Sequence, residues 1–177
     1  MEKRSQTIRL RPAVKADSAF ILRVNEENVE VLSPMDEEKL GEFAACSELL
    51  LVAEADGAPA AFLIALREGV ASYDSENYLW FSRTYEKFLY IDRVVIDAPY
   101  RGMGIGRQLY QEVFDRARST GVPLVTAEID TIPYNGASLK FHAAMGFREV
   151  GAQMVRGNSI QVSLQAAAVQ TRDGSNP

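Results

Sequence analysis

A glycine-rich segment joins a predicted strand to a predicted helix. Residues 101–107 read Arg-Gly-Met-Gly-Ile-Gly-Arg. Glycines let the backbone turn sharply and approach a ligand, and the first turn of a helix leaves N–H groups unpaired at the positive end of its dipole. The flanking arginines add positive charge. This arrangement predicts a phosphate-binding site at the start of the helix.

Two other phosphate-binding patterns fit this segment poorly. A Walker loop ends in Gly-Lys-Ser/Thr, whereas Gly106 is followed by Arg107 and Gln108. The dinucleotide fingerprint requires a glycine where Arg107 stands, and it usually follows the first strand of a domain. A nucleotide-binding enzyme of the Rossmann kind and a glycine-rich turn without a ligand stay open as alternatives.

Length and composition favour one globular domain. The chain has 177 residues, of which 47% are hydrophobic and 24% are charged, values typical of globular proteins. We expect one domain over residues 1–170 and a polar, mobile tail over residues 171–177. The one cysteine excludes an intrachain disulfide, and one cysteine with one histidine argues against a metal cluster.

The charge balance restricts the partners. The net charge is −5, from 19 basic and 24 acidic residues, which argues against nucleic acid as the main partner. No apolar run approaches the ~18 residues of a membrane span, and the first residues lack the apolar stretch of a signal peptide. We therefore expect a cytoplasmic protein that binds neither nucleic acid nor membranes.

The hydrophobic pattern predicts strands and helices in a mixed order. Apolar and polar residues alternate in the predicted strands, and apolar residues recur at helical spacing in the predicted helices. An aromatic-rich stretch over residues 68–87 is interpreted as a loop or short helix. The strands are predicted over residues 7–12, 49–54, 60–66, 88–97, 124–129, 149–156 and 160–166, and the helices over 17–29, 36–45, about 105–120 and 135–146.

Two patterns in this order resemble the GNAT N-acetyltransferases. Arg-x-x-Gly-x-Gly, at Arg101, Gly104 and Gly106, follows a strand and opens a helix, as in the acyl-CoA motif of that family. The second pattern runs from Asn135 to Gly146-Phe147, with small residues and an aromatic between them, and it resembles the second motif of the family. The resemblance covers roughly residues 7–166.

The resemblance implies an α/β (α+β) fold with a mixed, mostly antiparallel central sheet and helices on both faces. It implies an N-acetyltransferase that takes the acetyl group from acetyl-CoA as co-substrate, without a metal. The coenzyme A pyrophosphate would lie on the glycine segment and the pantetheine arm along the strand before it. The implied coenzyme-binding residues are Val94, Val95, Ile96, Arg101, Gly102, Met103, Gly104, Ile105, Gly106, Arg107, Asn135 and Ser138.

The same resemblance implies a slot for the thioester. The strand over residues 88–97 and the strand over residues 124–129 would splay apart. A strand N–H near Val94 or Val95 would then stabilise the oxyanion that forms during acyl transfer. Asn135 has helix capping as its simpler role, and the two roles are compatible.

Three residues are candidates for proton transfer. His142 stands where the family often has a tyrosine that protonates the departing thiolate, and a histidine can also do this near neutral pH. Packing against the sheet is its alternative role. Glu128 and Asp92 are candidates for the general base or for acceptor contact. Either carboxylate has a structural alternative as an ion-pair partner, for example of Arg93.

The acceptor side is the least defined. Aromatic side chains can enclose an apolar or cationic acceptor, and the resemblance implies a small amine or a peptide N-terminus. Other acyl groups, a catalytically silent coenzyme A-binding regulatory module and a homodimer stay open. The candidate acceptor residues are Tyr78, Trp80, Tyr85 and Asn28.

Overall fold

The structure is a computed structural model that describes residues 6–171. The predicted mobile tail lies outside the described residues except for its first position. Within the described range, no helix is both long and apolar enough to cross a lipid bilayer.

Seven strands and five α-helices are present in the described part of the chain, with short 3-10 turns over Lys15–Asp17 and Ala98–Tyr100. The strands are β1 Ile8–Pro12, β2 Leu49–Ala55, β3 Ala58–Arg67, β4 Leu89–Ile96, β5 Leu124–Ile132, β6 Arg148–Val155 and β7 Ile160–Ala168. The helices are α1 Ser18–Glu26, α2 Glu37–Cys46, α3 Glu76–Thr84, α4 Ile105–Ser119 and α5 Gly136–Ala144.

The strands form a mixed, mostly antiparallel sheet in the order β1-β2-β3-β4-β5-β7-β6. The pairs β1–β2, β2–β3, β5–β7 and β6–β7 are antiparallel. Strands β4 and β5 pair in parallel at Leu89 with Val125 and Tyr90 with Thr126. The predicted fold class is therefore confirmed, whereas the splay of these two strands stays a prediction.

The described residues divide into two compact units, 6–66 with 91–111 and 67–90 with 112–171. The prediction of one domain over residues 1–170 stays a prediction. Each unit has its own buried apolar side chains. Ile21, Val24, Phe43, Phe62 and Leu63 belong to the first unit, and Phe81, Phe88, Val113, Val125 and Leu164 to the second.

In the first unit, side-chain bonds to the backbone lie at the start of α2 and near the end of α1. The Asp36 side chain accepts a hydrogen bond from Lys39 N–H at 2.8 Å, which caps α2 as expected for an acidic residue at that position. Helix α1 ends at Glu26 rather than near residue 29, so that boundary was wrong. The Asn28 side chain donates to the carbonyl of Val24 at 2.8 Å, and such side-chain bonds compete with continued helix.

In the second unit, the stretch over residues 68–87 contains α3. One face of this helix is buried through Asn77, Tyr78 and Phe81. Its Trp80 ring packs on Gly151 of β6, where an added Cβ would lie 2.5 Å from Trp80 Cζ2. A side chain at position 151 would therefore force the indole ring to move.

Candidate functional site

The glycine segment in the first unit has the backbone that the sequence predicts. Gly102 and Gly104 have φ angles of 78° and 76°, in the left-handed region that favours glycine. Helix α4 begins at Ile105, and the Gln108 N–H donates to the carbonyl of Gly104 at 3.2 Å. The N–H groups of the residues between them therefore precede the first helical hydrogen bond, as an anion site at a helix start requires.

Both arginines of the segment have exposed side chains. Arg101 donates to the carbonyl of Ile96 at 3.3 Å and to the side chain of Asn28 at 3.4 Å. These distances are long for charge-assisted or carbonyl bonds, so an anion can replace both partners. Arg101 is predicted to bind coenzyme A, and Asn28 is predicted to bind the acceptor amine. These two residues thus lie next to each other.

Strand β4 carries a buried ion pair. Arg93 donates to Asp92 at 2.6 Å, to Asn25 Oδ1 at 2.8 Å and to Ser33 Oγ at 2.9 Å. Its guanidinium lies 5.2 Å from the ring centre of Phe43. Burial raises the pKa of Asp92, and the positive charge of Arg93 opposes this. The ion pair that was the structural alternative for Asp92 is therefore present, and its catalytic role stays a prediction.

We expect Arg93→Met to lower the free energy of unfolding by about 3 kcal/mol. The substitution keeps much of the apolar volume but removes the partner of the buried Asp92 and the donor to Asn25 and Ser33. Urea denaturation measures the change, with Arg93→Lys as the charge-retaining comparison that should lose less. A loss below about 1 kcal/mol would show that the pair contributes little net stability.

The residues of α5 form a second group, in the other unit. Asn135 accepts from the Ser138 N–H at 3.2 Å and so caps the helix. The Nδ1 atom of His142 lies 2.8 Å from the carbonyl oxygen of Ser138 and 3.3 Å from its hydroxyl. His142 is 5% exposed and makes edge contacts with Phe141 and Phe147. The three residues predicted for this helix therefore lie together.

The contact at Nδ1 restricts the proton chemistry of His142. A carbonyl oxygen only accepts, so Nδ1 carries the hydrogen, and Nε2 of the neutral ring has a lone pair. Burial lowers the pKa of His142, and the bond to Ser138 partly opposes this. The neutral ring can accept a proton at Nε2. The predicted role as general acid stays a prediction, and it requires that the ring first be protonated.

The lowered pKa of His142 has a consequence for stability. Below the unfolded value of about 6.5 the unfolded chain takes up a proton that the folded chain resists. The free energy of unfolding should therefore fall as the pH drops below that value, until the lowered folded pKa is passed. His142→Phe should lose less stability between about pH 7.5 and 5.5 than the natural chain. Equal changes in both proteins would contradict this.

Glu128 of β5 contacts Tyr90, which no sequence pattern indicates as a site residue. The Tyr90 hydroxyl donates to Glu128 Oε1 at 3.0 Å. Asp130 follows two residues later, and burial raises its pKa while the charge of Arg156 opposes this. Tyr90 and Glu128 are 38 positions apart, and only the parallel pairing of β4 with β5 indicates that they meet.

The three predicted aromatic acceptor residues differ in exposure. Tyr78 is 2% exposed, and its hydroxyl donates to the Arg67 carbonyl at 2.7 Å. Trp80 and Tyr85 are half-buried, and the Tyr85 ring stacks on Phe81 at 6.5 Å. Their acceptor role stays a prediction, with Trp80 and Tyr85 offering more surface to a ligand than Tyr78.

Among the described residues, no group of three or more His, Cys, Asp or Glu side chains is arranged to hold a metal ion.

A family profile described as the acetyltransferase (GNAT) family matches residues 18–147 of the chain. The match includes the glycine segment, β5 and all of α5. The N-alpha-acetyltransferase RimI of Mycobacterium tuberculosis is 33% identical over 87 residues, which are 49% of this chain and 50% of that protein. The chain therefore matches about half the length of this relative.

Solved structures share the fold. The ribosomal-protein-S18-alanine N-acetyltransferase of Escherichia coli has a TM-score of 0.70 at 15% identity, over 97% of this chain and 99% of that chain. The protein yncA of Salmonella typhimurium, solved with its cofactor acetyl-CoA, has a TM-score of 0.67 at 21% identity, over 96% and 98%.

Proposed function

The chain belongs to the GNAT family of acetyltransferases, and we propose that it transfers the acetyl group of acetyl-CoA to the N-terminal α-amine of a protein or peptide. The observation that carries the proposal is the glycine segment, in which two left-handed glycines lead directly into α4. The main-chain N–H groups of this segment and the two exposed arginines provide a fitting site for a pyrophosphate.

Acetyl-CoA supplies its acetyl group as a thioester that an amine can attack. In the proposal, Gly102–Arg107 main-chain groups hold the pyrophosphate and Val94, Val95 and Ile96 bond the pantetheine arm. A main-chain N–H at Val94 or Val95 stabilises the developing oxyanion. Asn135 and Ser138 are also proposed as coenzyme-binding residues.

The proposed acceptor is supported by what related proteins are named for. One is an N-alpha-acetyltransferase and another acts on the alanine of a ribosomal protein. An α-amine has a pKa near 7.7–8.0 and is easier to deprotonate near neutral pH than a lysine side chain. A carboxylate is sufficient as its base, and we assign that role to Glu128.

Asp92 and His142 have secondary roles in this proposal. Asp92 forms an ion pair with Arg93, and the role of base is assigned to Glu128. His142, once its ring is protonated, is proposed to donate a proton to the departing thiolate. A cytoplasmic location and a homodimer are also parts of the proposal.

The test incubates the purified chain with acetyl-CoA and heptapeptides that start with Ala, Ser, Gly or Met. Thiol release and a mass gain of one acetyl group at the N-terminus are expected. Peptides with a blocked N-terminus but an internal lysine serve as the matched control. Acetylation of the lysine or of small amines alone would overturn the acceptor class. Coenzyme A binding without turnover on any amine would favour a silent regulatory module.

A further inference from the structure

Tyr90 of β4 is a buried phenol whose hydroxyl is directed at a carboxylate. The side chain is 0% exposed, and its hydroxyl donates to Glu128 Oε1 at 3.0 Å. Its ring lies 5.5 Å from the ring of Tyr78 and 5.9 Å from that of Phe81, measured between centroids. A phenol remains protonated near neutral pH and so remains a donor. The carboxylate therefore faces a donor that packing holds in place.

The rings around Tyr90 belong to one stretch, residues 67–90, called here the aromatic segment. Tyr78 is fixed at its outer end, because its hydroxyl donates to the Arg67 carbonyl at 2.7 Å and accepts from the Val70 N–H at 3.0 Å. Phe88 packs on Tyr78 at 5.7 Å and on Phe81 at 6.2 Å. The rings of the aromatic segment thus pack against one another and against Tyr90.

The same segment is attached to β6 through α3. The Gln153 side chain donates to Asn77 at 2.8 Å, and the Arg156 N–H lies 3.4 Å from the carboxylate of Glu76. Trp80 packs on Gly151. Because α3 has contacts at its beginning and its middle, the rings on its inner face have little freedom to move away from Tyr90.

We propose that the aromatic segment is a positioning element for acetyl transfer, in which Tyr90 holds the Glu128 carboxylate in the orientation that takes the proton from the acceptor amine. The inference rests on the proposed function, which assigns Glu128 as the base. Tyr90 is a positioning residue, since it acts through Glu128. A glutamate side chain held by a fixed donor loses less rotamer freedom when the reaction begins, and a bond to a charged group is among the stronger ones.

The test is a double-mutant cycle with Tyr90→Phe, Glu128→Gln and the double variant. Acetyl transfer from acetyl-CoA to an alanine-starting heptapeptide is followed. We expect Tyr90→Phe to lower kcat about tenfold with KM for acetyl-CoA unchanged, because the ring packing stays while the donor is lost. If Tyr90 acts through Glu128, the double variant should be within about threefold of Glu128→Gln.

Two variants complete the design. Ser119→Ala removes a hydroxyl outside the aromatic segment, one that donates to the Arg116 carbonyl at 3.0 Å, and it should keep the natural kcat. Phe81→Leu loosens the packing on Tyr90 while retaining the hydroxyl. It should lower kcat in the natural chain but not in the Glu128→Gln background, and it replaces Tyr90→Phe in the cycle if that variant does not fold.

Three outcomes would overturn the inference. An unchanged kcat in Tyr90→Phe would show that the Tyr90 hydroxyl has no role in acetyl transfer. A double variant about tenfold below Glu128→Gln shows that Tyr90 acts independently of Glu128. Full activity of Glu128→Gln would show that Glu128 is not the base. That result contradicts the proposed function, and the single variant is sufficient to recognise it.

Discussion

We expect the Gly104→Asp variant to lose acetyl-CoA binding by a factor of at least about 100, the equivalent of about 2.7 kcal/mol. Gly104 has a φ angle of 76° and immediately precedes α4. An aspartate there adds a negative charge where the proposed pyrophosphate meets the helix start, so repulsion replaces attraction. Isothermal titration with coenzyme A measures the affinity.

The fold should survive this substitution. An added Cβ at Gly104 has no neighbouring atom within 4 Å, and aspartate and asparagine tolerate the left-handed region better than most other residues. Gly104→Asn has nearly the same shape without the charge and should lose much less affinity. Gly57→Asp, at a φ angle of 85° in the β2–β3 turn, should leave binding unchanged. Retained affinity in Gly104→Asp would refute the pyrophosphate placement.

The second large effect is expected for Glu128→Gln, with a loss in kcat of about 100-fold to 10,000-fold. The amide keeps the size of the side chain and can still accept from Tyr90, but it cannot take a proton from an amine. KM for acetyl-CoA should change little, since the proposed coenzyme site contains other residues. Steady-state kinetics with the alanine-starting heptapeptide measures both values.

A matched carboxylate variant provides the control for Glu128. Glu149 of β6 accepts from the Ser163 hydroxyl at 2.6 Å, and Glu149→Gln should keep kcat within about twofold. A Glu128→Gln variant with natural kcat and a raised KM for the peptide would assign Glu128 to acceptor binding instead. A variant with both values unchanged would remove it from the site.

Local sequence predicted the elements whose signals are local. Asp36 caps α2, Asn135 caps α5, and Gly146 follows the end of α5 with a φ angle of 90°. These features depend on a few adjacent residues. The end of α1 was predicted wrongly because the Asn28 side chain donates to the Val24 carbonyl. Such a bond competes with continuation of the helix, and the apolar pattern does not indicate it.

The difference between features set by adjacent residues and features set by distant contacts also applies to the site. The family resemblance identified residues 101–107 and 135–147, and the family profile confirms the family. The pairing of Tyr90 with Glu128 and the contacts of Arg93 with Asn25 and Ser33 join positions 38 to 68 apart in the chain. Such contacts depend on strand order and packing rather than on any local pattern.

The glycine segment shows what the sequence determined by itself. Glycine at positions 102 and 104 permits the left-handed backbone, and the amphipathic pattern after it requires a helix, so a phosphate site follows from local chemistry. The tertiary structure decided the proton chemistry. It put a phenol donor on Glu128, a carbonyl acceptor on His142 Nδ1 and a guanidinium on Asp92, because the protonation of a side chain depends on the groups that folding brings next to it.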